Sequence, residues 1–104
     1  MAQFDVYINP DPDTKRTIPY LLDVQTDLLD NLATRVVAPL ISLASMGKAA
    51  EHLNPQFSIQ RTDVIMSSAE LVGVMADRLG EKVCSLSEHQ NEIVAALIFL
   101  IAGL

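Results

Sequence analysis

The sequence contains no tryptophan, a single cysteine and only five aromatic residues, Phe4, Tyr7, Tyr20, Phe57 and Phe99. Cations are also scarce: seven Lys and Arg stand against thirteen Asp and Glu, a formal charge of −6. Each shortage excludes something. Cys84 alone makes no intramolecular disulfide framework and no cysteine-based zinc site, and it fits a reducing, cytoplasmic setting. Lys15, Arg16, Arg35, Lys48, Arg61, Arg78 and Lys82 are scattered, with one adjacent pair. A nucleic-acid binder needs a basic stripe to displace counterions from phosphates, so no direct nucleic-acid partner is expected. The longest apolar run, Ile93 to Leu104, has twelve residues. A bilayer span needs about 20. The N-terminus lacks the basic and apolar regions of a signal peptide. Neither a membrane partner nor a targeting segment is expected.

What is present is aliphatic. Half of the residues are hydrophobic and 19% are charged, too apolar a balance for a disordered chain. With 104 residues, one domain over 1–104 is expected. So small a domain with so much aliphatic side chain is expected to bury part of it against another chain.

Gln3 to Ile8 alternates polar and apolar, the period of a half-buried strand. Asn9-Pro10-Asp11-Pro12-Asp13 reads as a mobile loop. Tyr20 to Gln25 is a second strand, forming an N-terminal hairpin with the first. Thr26 to Asn31 is a loop that either presents one of its two adjacent leucines to a partner or keeps one in the core and exposes the other by chance. Arg35 to Ile41 is strand-like, and Pro39 inside it predicts an edge strand, a bulge or a bend. Ser42 to Leu53 is open between loop and a short helical turn. Gln56 to Gln60 is a strand, Arg61-Thr62-Asp63 a hairpin turn, and Val64 to Met66 the returning strand. Glu70 to Met75 reads as a bent strand, closed by Gly80.

Ser87-Glu88-His89-Gln90 fits a capping box, in which the serine hydroxyl accepts from the third residue on and the glutamine reaches back. From Ile93 the helix is apolar on every face, so it is expected to be covered on all sides. A single sheet covers one face; a second copy or a partner must cover the other. The residues therefore predict a mainly β architecture, a small antiparallel barrel or sandwich with a C-terminal helix.

Titratable groups do not assemble into a catalytic pattern. His89 falls in a helix first turn, where a histidine is ordinarily solvated, and His52 has no second histidine at helical spacing to complete a metal site. Glycine-rich phosphate loops and nucleophile elbows are missing. Cys84 has only Lys82 nearby to activate it and reads as a structural thiol. Asp11 with Asp13, and Asp27 with Asp30, sit in polar loops. No catalytic residue, metal or cofactor is expected.

A resemblance adds to this reading. Leu22-Asp23-Val24-Gln25-Thr26-Asp27-Leu28-Leu29-Asp30 looks like the signature segment of the CcdB toxins, the gyrase-poisoning half of ccd toxin–antitoxin modules. Further matches follow in order: Gln3-Phe4 and Val6-Tyr7; Arg35 to Leu40 ending in Pro39-Leu40; Leu53-x-Pro55; Gly80-Glu81-x-Val83-x-x-Leu86-Ser87; Asn91-x-Ile93; and the terminal Gly103-Leu104. The resemblance implies a homodimer of an SH3-like barrel with a C-terminal helix, akin to the MazF and Kid ribonucleases. It implies no enzyme activity, but binding to the gyrase A subunit that traps gyrase on cleaved DNA. The gyrase contacts carry over to Thr26, Leu28, Leu29 and Asp30, and to Ile98, Ile101, Ala102, Gly103 and Leu104. A cognate CcdA-like antitoxin is expected to wrap a disordered tail over a surface that includes Ile8, Asn9, Pro10, Asp11, Gly103 and Leu104.

Two positions depart from the family. Ala102 stands where it has tryptophan, and Ile98 where it has a polar asparagine. A tryptophan stacked on an arginine contributes about 2 kcal/mol at a hot spot, which alanine does not supply. Two alternatives therefore stay open: a degenerate, non-toxic homologue that still binds antitoxin, and an mRNA-cleaving ribonuclease on the same fold.

Overall fold

The computed structural model describes residues 2–46 and 54–104. Among them are seven strands: β1 (Asp5–Ile8), β2 (Tyr20–Asp23), β3 (Thr34–Ser42), β4 (Gln56–Ile59), β5 (Thr62–Met66), β6 (Val72–Met75) and β7 (Lys82–Ser85). A single helical turn, α1 (Leu43–Met46), follows β3, and the helix α2 (Gln90–Ala102) ends the chain. Every strand pairing is antiparallel. The order is β4-β5-β3-β2-β1-β7, with β6 also on β3. The mainly β reading with a C-terminal helix stands, as a curled antiparallel sheet in the form of a half-barrel.

β3 organises the sheet. One edge carries β2, with Leu22 opposite Ala38 and Tyr20 opposite Leu40. The other edge is shared: Thr34 to Val37 pair with β6, and Leu40 to Ser42 pair with β5. Pro39 sits between the two partners. In a strand, the N and O atoms of one residue face the same edge, and the Pro39 carbonyl accepts from the Ser67 amide just past β5 (3.0 Å). The nitrogen that has no proton thus faces the gap between β5 and β6. The expected edge strand is a central one, and the proline is tolerated because its partner changes there.

Successive side chains alternate across the sheet. One face carries Val6, Leu22, Ala38, Leu40, Phe57, Ile59, Val64 and Met66, and packs with Ile93 and Ala96 of α2 into the main core. On the other face, Val37, Pro39, Ile41 and Ile65 are also buried, and so are three charged residues, Asp5, Asp23 and Arg35.

Several local expectations shift. The β4–β5 turn is Gln60-Arg61, with Ile59 paired to Thr62, and not Arg61 to Asp63. Both turn residues have positive φ, 48° and 67°, the pattern of a two-residue type I′ hairpin. The N-terminal loop is anchored where mobility was expected. Asn9 is buried, and its side-chain amide donates to the Ile18 carbonyl (2.8 Å) and the Thr14 hydroxyl (3.0 Å). β7 was not anticipated at all. The expected capping box does not form: Ser87 lies in a 3-10 turn, Ser87–His89, and α2 has no side-chain cap. The hydroxyl at work there is that of Ser85, which accepts from the Ser87 amide (3.2 Å). At the far end, Gly103 adopts φ 69° and donates to the Phe99 carbonyl (3.0 Å), a left-handed stop that suits glycine.

Within one chain α2 is covered on one side only. Ile93 and Ala96 are buried, whereas Val94, Ile98 and Ile101 form an exposed apolar stripe at helical spacing. Of Ser42 to Leu53, Ser42 ends β3 and Leu43–Met46 is the turn α1; residues 47–53, His52 among them, lie outside the described residues.

Candidate functional site

The loop after β2 is built from a polar network that begins in the sheet. Asp23, the last residue of β2, is 0% exposed, and Arg35, near the start of β3, is 1% exposed. The Arg35 Nη2 and Nε reach one oxygen, Asp23 Oδ2, at 2.7 and 2.8 Å. The other oxygen, Oδ1, accepts from the Gln25 amide (3.0 Å). From there Arg35 Nη2 extends along the loop, donating to the Gln25 carbonyl (3.4 Å) and lying 3.8 Å from Asp27 Oδ1. Gln25 completes the frame. Its Oε1 accepts from the Val36 amide (3.0 Å) and its Nε2 donates to the Leu29 carbonyl (3.0 Å).

The loop itself is a 3-10 turn, Asp27–Leu29. Thr26 caps it, its hydroxyl accepting from the Leu28 amide (3.3 Å). Asp27 Oδ1 accepts from the Gln3 amide (2.8 Å), tying the turn to the N-terminal segment. What this frame presents is apolar. Leu28 is 90% exposed, and Leu29 and Leu32 are about half exposed. Of the two adjacent leucines, Leu28 is the one most fully offered to solvent, and neither is buried.

The other expected contact residues lie at the end of α2. Ile101 and Leu104 are 79% and 91% exposed, and Ile98, Ala102 and Gly103 are exposed as well. α2 packs on the turns Ser68–Glu70 and Ser87–His89. The expected antitoxin residues behave differently: Asn9, Pro10 and Asp11 come together as one wall of a groove of about 420 Å³. Leu21, Val74, Met75, Arg78 and Leu79 make the rest of it. Ile8 stands at the base of that wall, its amide donating to the Glu81 carbonyl (2.9 Å). A Cβ on Gly80 would clash with the Ile8 carbonyl oxygen, so glycine lets the chain just after Leu79 lie against the end of β1.

Beside the Arg35–Asp23 pair, the Tyr7 hydroxyl donates to Asp5 Oδ2 (3.4 Å), and Lys82 lies 3.4 Å from Asp5 Oδ1. Burial, then the charges of Asp5 and Asp23, push the Tyr7 phenol up to about 12. Burial also raises the Asp23 carboxyl, a larger effect than the opposing pull of Arg35. The Cys84 thiol is raised by burial and by Asp5, against a smaller lowering by Lys82, which makes it a poorer nucleophile than an ordinary cysteine. His89 is partly exposed, 3.4 Å from Glu92, with its ring centroid 5.3 Å from that of Phe57 at a tilt of 57°. Among the described residues no group of three His, Cys, Asp or Glu is placed to hold a metal, and no helix is long and apolar enough to cross a membrane.

The sequence reading placed the exposed leucines correctly in a loop but missed the residues that hold them. Asp23, Gln25, Arg35, Asp5 and Tyr7 were not singled out. The available signal was the strand period: Asp23 shares a face with Leu21, and Arg35 shares one with Val37, so opposite charges occupy apolar positions of neighbouring strands.

A family model described as CcdB protein matches residues 3–103. The chain belongs to the CcdB family. That membership suggests the toxin of a toxin–antitoxin pair. Among solved structures, a mycobacterial endoribonuclease in complex with its cognate antitoxin is similar at 15% identity and a TM-score of 0.75, over 100% of this chain and 96% of that one. A second mycobacterial endoribonuclease is similar at 14% identity and a TM-score of 0.70, over 100% and 92%. At these identities the likeness is one of fold, and it places the CcdB chain on the scaffold those ribonucleases use.

Proposed function

We propose that this CcdB-family chain is the toxin of a type II toxin–antitoxin system. It acts in the cytoplasm as a homodimer, binds the A subunit of DNA gyrase, and holds the enzyme on cleaved DNA until a cognate antitoxin removes it. The observation that carries this reading is the braced turn at Asp27–Leu29, which spends a buried ion pair on presenting Leu28 to solvent. Burying one such leucine in a partner contributes about 1.5–3 kcal/mol. The gyrase surface is Thr26, Leu28, Leu29 and Asp30 with Ile98, Ile101, Ala102, Gly103 and Leu104. The antitoxin surface is the groove wall Asn9, Pro10 and Asp11, with Ile8, Gly103 and Leu104. The exposed stripe of α2 supports the second copy, and the antitoxin-bound relative in fold supports the antitoxin.

A second reading is favoured by the same relatives in fold: cleavage of mRNA by this chain. It requires cations and an acid–base pair at a scissile phosphate. Against it, Arg35 is buried and paired with the Asp23 carboxylate, and Lys82 faces Asp5. The third reading, a homologue that has lost toxicity but keeps its antitoxin, rests on Ala102.

One assay separates the three. The purified protein is incubated with gyrase, supercoiled DNA and ATP, and separately with RNA. Stabilised double-strand breaks are expected. Cut RNA would instead establish the nuclease, and neither activity alongside tight antitoxin binding would establish the degenerate homologue. Ala102→Trp should raise trapping by about tenfold or more, as a restored hot-spot aromatic predicts; unchanged trapping would refute the importance of that position.

A further inference from the structure

A buried ion pair is a poor device for stability alone. Replacing one by well-packed apolar residues is often neutral or stabilising, because two desolvated charges recover little more than they lose. Here the pair is less favourable still. Arg35 Nη1 is buried and has no hydrogen-bond partner among the described residues, and an unsatisfied buried donor is costly. Apolar side chains at 23 and 35 would fill the same face and remove both desolvated charges and that orphan, though the Gln25 amide would lose the acceptor that Asp23 gives it. What they would not do is reach the loop. Nη2 joins the strand to the Gln25 carbonyl and to Asp27, and Gln25 joins β3 to the Leu29 carbonyl.

We propose that Arg35, Asp23 and Gln25 are positioning residues: they fix the loop 26–30 so that Leu28 is held out, already ordered, for the partner that grips it. The guanidinium acts as a strut between β3 and the turn, and Asp23 aims it. Gln25 clamps the turn's last carbonyl to the same strand. A partner meeting this loop has no ordering cost left to meet, which is how a rigid projecting side chain gains affinity over a mobile one. The identity of the partner rests on the function proposed above; the bracing of the loop does not.

The test uses the full chain in four forms: wild type, Gln25→Ala, Arg35→Lys, and the double variant Asp23→Leu with Arg35→Met. Lysine keeps a charge beside Asp23 but not the second reach to Gln25 and Asp27. Three quantities are measured: Tm, the amide order parameters of residues 26–30 by 15N relaxation, and affinity for the isolated gyrase A subunit. In the wild type the loop should be as rigid as the strands, near 0.85, and in all three variants it should fall below about 0.6 while β1 to β6 stay rigid. Gyrase A affinity should fall about tenfold in each. The double variant should melt no lower than the wild type, so that stability and binding separate; a merely structural pair would lose both together. A mobile wild-type loop, an unchanged loop in the variants, or order lost throughout the sheet would overturn the proposal, as would a loosened loop with unchanged affinity. A rigid wild-type loop with no affinity for gyrase A would refute the gyrase reading instead, and the order parameters would still decide the positioning role.

Discussion

Tyr7 is where the buried polar face becomes measurable at the level of a single residue. Burial, and then the neighbouring carboxylates of Asp5 and Asp23, push its phenol from the ordinary 10 up to about 12. The native protein therefore keeps a proton that the unfolded chain releases between pH 10 and about 12. Stability rises with pH only where the unfolded state holds more protons; here it holds fewer, so this contribution is intact below pH 10 and is lost as pH climbs towards 12. Alkaline titration of tyrosinate absorbance should show one component near 12, absent from Tyr7→Phe. The alkaline decline in Tm should be shallower in that variant. A wild-type curve complete well before 12 would contradict the burial and charge seen around Tyr7.

At the scale of elements, the β4–β5 hairpin carries a removable strain. Gln60 and Arg61 both adopt the left-handed conformation, which costs a residue with a Cβ roughly 1–2 kcal/mol and which Asn-Gly adopts readily. Gln60→Asn with Arg61→Gly should stabilise the chain by about 1 kcal/mol, raising Tm by several degrees without changing the β4–β5 register; a fall in Tm would show that the native pair makes compensating contacts. This turn also shows why parts of the fold were legible in the sequence and others were not. β4 announces itself by alternation, exposed and buried in turn, and β1 by the polar–apolar alternation from Gln3 onward, whereas β2 and β5 show as short apolar runs bounded by turn residues. The hairpin was misplaced by a residue because Gln-Arg carries none of the usual turn chemistry. β7 left no trace because the pairing of β1 with it slips between Val6 and Tyr7. Val83 and Cys84, adjacent in sequence, are both half buried, and the period of two is lost. The exposed leucines of the candidate site were visible as a pattern, whereas Arg35 was hidden by the ordinary expectation that an isolated charge is solvated.

At the scale of the molecule, the surplus of aliphatic residues has found its place on the outside. Val94, Ile98 and Ile101 lie open along α2, next to a core that already holds Ile93 and Ala96. Contiguous apolar surface of this kind marks an interface. Sedimentation equilibrium at micromolar concentration should give twice 11.4 kDa, with Tm rising as the protein is concentrated, since pairing stabilises only the folded chain. Val94→Asp should shift the population to monomer. A wild type that sediments as a single copy at all concentrations would rule out pairing through α2.

β3 has one more consequence. Its middle, Val37 to Leu40, has β2 on one edge, while β6 and β5 meet its two ends on the other, so the middle does not open until ladders on both edges break. Its amide protons should exchange with solvent only through complete unfolding, the slowest route the chain offers. Arg35, which steadies the exposed loop, stands on that strand. A ligand that grips the loop therefore acts on the last part of the molecule to let go, and its arrival will be registered as slower unfolding of the whole chain.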